Sequence, residues 1–334
     1  MDTKALRQKI LDLAIRGKLV PQDPNDEPAS ALLERIRAEK QQMVKDGKLK
    51  AKDIKNDSVI FIGEDSLHYE KFRDGTVKCI EDEIPFEIPE AWAWCRLGSV
   101  AEMSLGKMLD SNKNKGSRRP YLRNVNVRWN EFDLSDILEM RFKNTEEDRY
   151  SVLSGDLVVC EGGEPGRCAV WKFSESIYYQ KALHRVRPIV VQSDYLAYVI
   201  QYFTRSSLYE RYYTGTTIKH LTGQSLKTVP IPIPPCDEQR RIVDRILQML
   251  EFTDSIDRDR TDVINMLSIA KGHILDLAIR GQLVPQDSDD EPAAVLLERI
   301  RAEKEELIKQ GKIKRDKKES IIFRGEDNSY YEKI

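Results

Sequence analysis

The sequence has few cysteines, few histidines and no long apolar run. Its five cysteines are an odd number without a Cys-x-x-Cys pair, and its four histidines are scattered. This pattern argues against a disulfide framework and against a zinc site, so we predict reduced thiols in a cytoplasmic protein. No stretch approaches the roughly 18 apolar residues of a membrane helix. We therefore predict no membrane helix, and we predict no secretory signal because the start, MDTKALRQKI, lacks the apolar core of one.

An overall excess of basic residues is also absent, because 54 Lys and Arg face 56 Asp and Glu. The 334 residues suggest about two domains, and 40% hydrophobic residues allow a sizeable core. The distribution of charge is uneven, with a net charge of +3 over residues 84–235 and −5 over the rest. Residues 107–128 hold seven basic side chains and one acid, Asp110. Positive charge is therefore local, as expected of a binding surface for a polyanion.

Two segments of the chain are nearly identical. Residues 10–50 and 274–314 share 30 identities in 41 positions at a constant offset of 264, and after a slip of two residues the match resumes at Phe61 and Phe323. Copies this far apart bracket a unique middle and do not form a solenoid. The predicted parts are a first repeat (1–80), a middle domain (84–235), a long helix (236–281) and a second repeat (282–334).

The repeat has two interpretations. Duplicated modules present two equivalent surfaces, which suits a symmetric pair of partners. A duplicated structural adaptor that binds nothing is the alternative. The second copy stops at Ile334, short of the point where a second middle domain would begin in the register of the first copy.

A long helix is expected after the middle domain. No proline occurs between Pro235 and Pro285. Asp237 is a suitable cap for the start of this helix, and Gly281 followed by Pro285 is a suitable end. We predict a helix from about 238 to 280, roughly 64 Å long, which needs a partner helix along much of its length.

Apolar residues in this helix recur with the 3-4 alternation of a coiled-coil seam. The predicted apolar seam consists of Ile246, Met249, Ile256, Val263, Leu267, Ile274 and Leu277. Thr253 and Arg260 also fall on the seam. Either they fix its register, or the partner helix is absent where they lie, and the sequence leaves both readings open.

The middle domain shows short apolar runs between turn residues, which are typical of strands. We predict strands at Tyr121–Val127, Asp156–Cys160, Cys168–Phe173 and Leu183–Val186, and a helix at Tyr195–Thr204. The predicted fold class is α+β: a mixed α/β domain joined to a long coiled-coil helix, with a repeated helical region at both ends. The prolines at 230, 232, 234 and 235 argue against helix and central strand and predict a stiff link to the long helix.

The densest functional signal is the stretch 106–129. Phosphates require cations and base edges require bidentate side chains such as Arg and Asn, and a basic loop that leads into a strand supplies both. The candidate nucleic-acid contacts in this stretch are Lys107, Lys113, Lys115, Arg118, Arg119, Tyr121, Arg123, Asn124, Asn126 and Arg128. A solubilising surface loop is the alternative.

Three further clusters occur in the middle domain, at 155–171, 178–188 and 214–224. The first is rich in glycine, which suits either the close approach of a ligand or an ordinary hairpin. It matches neither a phosphate-binding Walker loop nor a dinucleotide fingerprint. The candidate contacts that these clusters add are Arg167, Lys181, His184, Arg185, Thr217, Lys219 and Gln224.

Taken in order, the motifs resemble the specificity (S) subunit of type I restriction-modification systems. The middle opens with IPFEIPEAWAWCRLGSV (84–100), continues with a strand after SGDLVVCEGG, passes a GT-x-I-K-x-L stretch and closes with IPIPPCDEQRRIV. This middle resembles a target recognition domain, and the long helix and repeats resemble the conserved regions of the family. The resemblance covers essentially the whole chain.

The resemblance implies a non-catalytic subunit that binds double-stranded DNA. It implies docking of two methyltransferase subunits on the conserved regions, with restriction subunits joining the full complex. The methyltransferase would modify adenine N6 after flipping the base out of the duplex. The methyl donor, S-adenosylmethionine, would belong to that partner, so neither cofactor nor metal is expected on this chain. The long helix offers a surface for self-association.

The chain departs from the family pattern in one respect. Typical members carry two recognition domains, and this sequence contains one. The chain is therefore either a half-size subunit that pairs with a second copy or a truncated form. A two-fold pair would read an interrupted palindromic target.

Two other classes of function compete with this interpretation. An autonomous adenine methyltransferase needs an [ND]-P-P-[YF] motif, but the Pro-Pro pair here stands between Ile233 and Cys236. No spacing of nucleophile, base or metal ligands is evident, which argues against an enzyme. A coiled-coil adaptor without DNA binding is the alternative that remains, and it explains the heptads and the repeat but not the basic loop. Salt dependence of DNA binding separates the two.

Overall fold

The computed structural model describes residues 2–110, 113–217, 219–315 and 320–333. The chain divides into two compact units, Met1–Arg260 and Thr261–Ile334. The α-helices of the described residues are Thr3–Ile15 (α1), Ala29–Lys45 (α2), Leu97–Val100 (α3), Glu147–Tyr150 (α4), Ser193–Arg205 (α5), Gly223–Thr228 (α6), Cys236–Ile279 (α7) and Ala293–Lys309 (α8).

The β-strands within the same ranges are short. They are Ser58–Ile62 (β1), His68–Phe72 (β2), Val77–Cys79 (β3), Ala93–Arg96 (β4), Ala101–Leu105 (β5), Ser117–Leu122 (β6), Leu138–Phe142 (β7), Ser151–Val152 (β8), Leu157–Cys160 (β9), Cys168–Val170 (β10), Ile177–Tyr179 (β11), Leu183–Pro188 (β12), Pro230–Ile233 (β13), Ile321–Arg324 (β14) and Tyr330–Lys333 (β15). None of the helices that the structure describes is long and apolar enough to cross a membrane.

The first repeat begins with helix α1, whose ends follow from its sequence. The side chain of Asp2 accepts a backbone hydrogen bond at 3.1 Å and caps the start. Gly17, at φ 69°, follows the end of the helix, and the Lys18 amide donates to the Leu13 carbonyl at 2.7 Å. A Cβ at Gly17 would lie 2.4 Å from Cγ of Pro89, so only glycine permits this approach to the middle domain.

The first repeat shares one hydrophobic core with the middle domain. That core includes the α1 residues Ile10, Leu11, Ala14 and Ile15 together with residues of α2, α5 and the start of α7. Polar contacts join the same parts, because Gln22 and Trp92 both donate to the Glu238 carboxylate, at 2.6 and 3.0 Å. Burial raises the pKa of Glu238. The Glu-Gln pair that opens the long helix is therefore structural, and Gln239 is fully buried as well.

The middle domain contains two four-stranded sheets. One is antiparallel with the order β10-β9-β12-β5, so that β5 is an edge strand. The other has the order β7-β6-β11-β8 and contains one parallel pair, β11 with β6. Helix α5 packs against β9 and β10. The predicted strands beginning near 156, 168 and 183 and the helix beginning near 195 are present in the structure with shifted ends.

The proline-rich exit is a strand, whereas the sequence predicted a stiff link. Strand β13 pairs antiparallel with β4, and all four of its residues are buried. Only two strands form this sheet, so both are edges, where proline is tolerated because no second neighbour needs its amide. On the free side, the Tyr195 hydroxyl donates to the Pro232 carbonyl at 2.9 Å.

The long helix α7 begins at Cys236, so the predicted cap Asp237 lies inside its first turn. Its end agrees with the stop signal, because Gly281 has φ 65° and the Gln282 amide donates to the Leu277 carbonyl at 2.8 Å. Thr253 is buried and donates to backbone carbonyls of its own helix at 2.7 and 2.9 Å. Back-bonding of this kind satisfies a buried hydroxyl without a partner helix.

The seam of α7 has two kinds of environment. Ile246 is fully buried and Met249 packs against the core, near the place where Arg7 of α1 contacts Asp254 at 2.7 Å. Ile256 and Leu277 are half-buried. The seam residues that remain largely exposed are Val263, Leu267 and Ile274, at 55%, 56% and 50%. A continuous coiled coil along the helix stays a prediction.

The second unit reproduces local structures of the first repeat. Helix α8 has 17 residues, as does α2, and each begins after a proline at the same position of the repeat. The rings of Phe323 and Tyr331 lie 5.9 Å apart at 28°, as do those of Phe61 and Tyr69. These side chains adopt the same arrangement because it is set by the local hairpin and its Asp-containing turn.

Candidate nucleic-acid interface

Segments that carry the sequence signals meet at one end of the middle domain. The Asn124 side chain donates to the Gly162 carbonyl at 2.7 Å. The Glu161 amide donates to the Ala182 carbonyl at 2.9 Å, and the Glu161 carbonyl accepts from the Leu221 amide at 2.7 Å. We name this set of segments the loop cluster, and it comprises residues 123–126, 161–167, 180–182, 214–217 and 219–222.

The glycine-rich segment is the centre of the loop cluster. It is the turn between β9 and β10, so the hairpin reading of its glycines is confirmed. A Cβ at Gly162 would lie 3.0 Å from Nδ1 of His220, and a Cβ at Gly163 would lie 3.0 Å from Nδ2 of Asn124. Gly163 also has φ 77°. The glycines therefore allow the loops on both sides to approach the turn closely.

The turn at 123–126 replaces part of a predicted strand. Strand β6 ends at Leu122, and residues 124–126 form a single 3-10 turn. The Asn126 side chain accepts from the Arg123 amide at 2.9 Å and donates to the carbonyls of Asp133 and Asp136 at 2.9 and 3.0 Å. Asparagine side chains that bond to nearby backbone favour turns over strands, which is why the strand prediction was wrong here.

Five of the predicted contact residues lie inside the domain. They are Lys107, Tyr121, Asn126, His184 and Arg185, at 7%, 4%, 2%, 2% and 1% exposure. Charged side chains are seldom buried, so the sequence alone favoured a surface position for three of them. Their interpretation as contacts is corrected, because buried side chains present no face to DNA.

The two buried cations illustrate what these residues do instead. Lys107 donates to the Glu146 carboxylate at 2.6 Å and to a backbone carbonyl at 3.0 Å. Arg185 donates to Glu102 at 2.6 Å and to the carbonyls of Asp148 and Ser151. Buried charges need partners of this kind. Both residues therefore hold neighbouring segments of the domain together.

His184 belongs to the same framework. Its Nε2 lies 3.0 Å from the Leu221 carbonyl, and a Cβ at Gly223 would lie 3.2 Å from its ring. Burial lowers the pKa of His184, opposed in part by the Glu161 carboxylate. A neutral imidazole that donates to the Leu221 carbonyl holds this end of the loop cluster in place and carries no charge for a phosphate.

The remaining predicted contacts are exposed or half-exposed. Those within the loop cluster are Arg123, Asn124, Arg167, Lys181, Thr217 and Lys219. Those outside it are Lys113, Lys115, Arg118, Arg119, Arg128 and Gln224. The structure therefore brings together half of the accessible candidates. Lys113 and Lys115 precede β6 and Arg118 and Arg119 lie on it, outside the loop cluster.

Several cations of the interface have carboxylate partners. Arg123 contacts Asp136 at 2.6 Å and Lys219 contacts Glu210 at 3.0 Å. The pairs Arg167–Glu164 and Arg128–Asp133 are longer, at 3.1 and 3.4 Å. Both side chains are exposed in the pairs of Lys219 and Arg128, and such pairs contribute little stability, so a phosphate can displace the carboxylate there. In the described part of the chain, Lys115, Arg118, Arg119 and Lys181 have no such partner.

Sequence reasoning missed one element of this surface. The guanidinium of Arg205, at the end of α5, lies 5.3 Å from the centre of the Trp129 ring. The Trp129 ring nitrogen donates to Glu164 at 2.7 Å, which ties this pair to the loop cluster. No local signal distinguishes Arg205 from other surface arginines, because 76 residues separate it from Trp129 in the chain.

Comparison with known proteins identifies the family. The model "Type I restriction modification DNA specificity domain" matches residues 89–266, which include the whole loop cluster. The chain belongs to this family. The resemblance seen in the motifs is therefore confirmed. The matched region ends inside α7, so the second repeat lies outside it.

Curated relatives agree with this assignment. The type I restriction enzyme EcoAI specificity subunit of Escherichia coli is 31% identical over 366 residues, which cover 94% of this chain and 58% of that protein. The EcoEI specificity subunit of Escherichia coli is 30% identical, with 94% and 57% covered. This specificity-domain chain thus spans a little over half the length of these relatives.

Two solved structures are similar to this chain at lower sequence identity. The HsdS subunit from Thermoanaerobacter tengcongensis matches with a TM-score of 0.43 and 20% identity, covering 76% of this chain and 56% of that one. A chain from work on complex assembly and conformational transition of the type I R-M system matches with a TM-score of 0.48 and 21% identity, covering 76% and 57%.

Proposed function

We propose that this chain supplies DNA sequence recognition to a type I restriction-modification complex and has no catalytic site of its own. The observation that carries the proposal is the loop cluster, which gathers accessible Arg, Lys and Asn side chains inside the region matched by the specificity-domain model. This set of side chains can supply both charge for phosphates and bidentate groups for base edges.

The candidate DNA contacts fall into two groups, mobile side chains that suit phosphates and fixed side chains that suit bases. Lys181 is exposed and unpaired in the described part of the chain, and Lys219 is held only by an exposed carboxylate, so both suit phosphates. Arg123 and Asn124 are half-buried and held by hydrogen bonds. Side chains with a fixed orientation suit base readout, because discrimination requires defined donor and acceptor positions. Lys113 before β6 and the exposed Arg118 and Arg119 on β6 add phosphate contacts.

We further propose that the repeats and the long helix dock two methyltransferase subunits, with restriction subunits joining the full complex. Support comes from exposed apolar side chains of the second unit, such as Leu275 and Ile279 at 62% and 86%. Contiguous exposed apolar surface is typical of protein interfaces. S-adenosylmethionine would bind the methyltransferase, and the complex would act in the cytoplasm, where its DNA lies.

Self-association through α7 is part of the same proposal. The exposed seam residues Val263, Leu267 and Ile274 would pair with those of a second copy. A two-fold pair of chains would read an interrupted palindrome. Light scattering with and without the methyltransferase subunit tests this. A mass that corresponds to one copy of this chain in both conditions would exclude the pair.

DNA binding is tested by titrating duplex DNA at several salt concentrations with the double variant Lys181→Ala/Lys219→Ala. The matched control is Lys172→Ala, an exposed lysine at the opposite end of the β9–β10 hairpin. We expect affinity to fall steeply with salt, and the slope to become shallower by about 2 for the double variant and by about 0 for the control. Salt-independent or absent binding would favour the alternative, a coiled-coil adaptor.

Recognition is tested in cells that carry the chain with a methyltransferase subunit. Mapping of methylated adenines is expected to show one sequence-specific target. A palindromic interrupted site supports the symmetric pair, and an asymmetric split site shows that a second recognition domain is supplied elsewhere. Absence of methylation, together with absence of DNA binding in solution, contradicts the proposed function.

A further inference from the structure

A second basic surface lies outside the loop cluster, in a groove of about 510 Å³ between the first repeat and the middle domain. The loop that follows α2, residues 47–53, forms one wall of the groove. Edge strand β5 and residues 148 and 149 form the other. Of the candidate contacts in the middle domain only Arg185 lines this groove, and half of the groove wall belongs to the repeat.

The balance of charge in the groove is positive. Seven cations line it, and two of them are engaged: Lys40 contacts Asp57 at 2.7 Å and Arg185 contacts Glu102 at 2.6 Å. The five that form no ion pair in the described part of the chain are Lys48, Lys50, Lys52, Arg149 and Lys227. The other lining carboxylates are those of Asp53 and Asp148. Five unpaired cations against two acids make the groove a binding surface for an extended anion.

Strand β5 connects this groove to the loop cluster. Residues 101–105 line the groove, and the chain then continues to Lys107, whose amide donates to the Tyr179 carbonyl at 3.0 Å. The Lys107 carbonyl accepts from the amide of Lys181 at 2.8 Å. Five strand residues span about 17 Å. About five phosphates of one DNA strand occupy that length of helix axis.

We infer that the DNA backbone passes along the edge of β5 from the loop cluster into this groove, where Lys48, Lys50 and Lys52 of the first repeat contact its phosphates. The inference rests on the proposed DNA binding and adds a contact surface to it. Lysines on a loop position the duplex and do not read its sequence. The first repeat therefore holds DNA as well as packing against the middle domain.

The chain contains its own matched control. The segment Gly47-Lys48-Leu49-Lys50 recurs in the second repeat as Gly311-Lys312-Ile313-Lys314. Both pairs of lysines are exposed, and both follow a 17-residue helix. The groove described above is formed by residues of the first unit alone. Lys48→Ala/Lys50→Ala and Lys312→Ala/Lys314→Ala thus remove equal charge from similar local sequences.

The experiment measures binding of the full chain to a duplex of about 30 base pairs and mixed sequence, roughly 100 Å long, by fluorescence anisotropy at several salt concentrations. For Lys48→Ala/Lys50→Ala we expect the salt slope to become shallower by about 1.8, with weaker binding at low salt. For Lys312→Ala/Lys314→Ala we expect the wild-type slope. Thermal unfolding of each variant verifies folding, because exposed lysines contribute little stability.

The outcomes separate this inference from the proposed function. Salt-dependent binding by the wild type with an unchanged slope for Lys48→Ala/Lys50→Ala would overturn the inference and leave the proposed function intact. An equal loss in both double variants would also overturn it, because the groove would then have no special role. An unchanged slope with lost co-purification of the methyltransferase would assign the groove to that protein. Wild-type chain that binds no DNA would refute the proposed function itself.

Discussion

Ile10 and Ile274 occupy the same position in the two copies of the repeat, yet Ile10 is 2% exposed and Ile274 is 50% exposed. Ile10 packs in a core that includes residues of α5 and of the start of α7. Ile274 lies on α7 itself, within the second unit. One local sequence therefore has two environments, which depend on the domain that packs against each copy.

This difference predicts unequal effects of the same substitution. Ile10→Ala is expected to lower the free energy of unfolding by about 2–4 kcal/mol, because it leaves a cavity in a packed core. Ile274→Ala is expected to change it by less than about 0.5 kcal/mol. Urea unfolding measures both, with tryptophan fluorescence reporting on the first unit, where all four tryptophans lie, and circular dichroism reporting on all helices. Equal losses would show that another molecule covers Ile274.

A second prediction separates phosphate contacts from base readers. Lys113 is 87% exposed at its side chain, so Lys113→Ala is expected to weaken binding to all sequences alike and to make the salt slope shallower by about 1. Arg123 is held by the backbone and side chain of Asp136, so Arg123→Ala is expected to relax sequence preference. Competition binding measures both effects, with the target sequence identified by methylation mapping and with variants of that sequence. If both variants keep full affinity and specificity, the interface is elsewhere.

The burial of Arg185 and the exposure of Arg119 predict opposite effects of substitution on stability and on DNA binding. Arg185→Met removes bonds to two carbonyls and to Glu102, so we expect a loss of about 3 kcal/mol in stability. The DNA salt slope of the folded protein should not change. Arg119→Ala should do the opposite, with near wild-type stability and a slope shallower by about 1. If Arg185→Met kept full stability and had a shallower salt slope of DNA binding, Arg185 would be a DNA contact after all.

The lowered pKa of Asp12 predicts that the stability of the fold depends on pH. Burial raises the pKa of Asp12, but hydrogen bonds from Lys9, Tyr202 and Arg16 outweigh burial and lower this pKa to about 2. A carboxylate with a lowered pKa stabilises the fold above its unfolded pKa, and the contribution disappears as pH falls through the folded value. Asp12→Asn should therefore cost on the order of 2 kcal/mol at neutral pH and progressively less between about pH 4 and 2.

Urea unfolding at neutral pH and near pH 2 measures this difference for Asp12→Asn. The matched control is Asp276→Asn at the equivalent position of the second repeat, where the side chain is 50% exposed. The control should differ little from wild type at either pH. A penalty for Asp12→Asn that is the same at both pH values would show that packing, and not the charge of Asp12, produces the effect.

Local signals in the sequence were sufficient for several elements. The stop signal at Gly281 acts within one turn of the long helix, so its residue type predicts where that helix ends. The same holds for the hairpin around Gly163. Strand β13 was missed because the rule against proline in strands applies to central strands, and only pairing with β4 reveals that both strands are edges.

The same distinction between local and long-range determinants applies to the candidate DNA contacts. Residue types in the stretch 106–129 indicated charge for a polyanion, and the family assignment supports that reading. The same types could not show that Lys107 and Arg185 are buried, because their partners Glu146 and Glu102 are 39 and 83 residues away in the chain. Long-range partners decide whether a cation is buried in an ion pair or remains available to a ligand.

The sequence by itself determined the family, the repeat, the end of the long helix and the local concentration of positive charge, because each depends on residues close together in the chain or on their order. The tertiary structure decided which cations are accessible, that the loops meet at the turn near Gly162 and Gly163, and that Lys48 and Lys50 line a groove with the middle domain. These properties depend on burial and on contacts between distant segments, which local sequence does not encode.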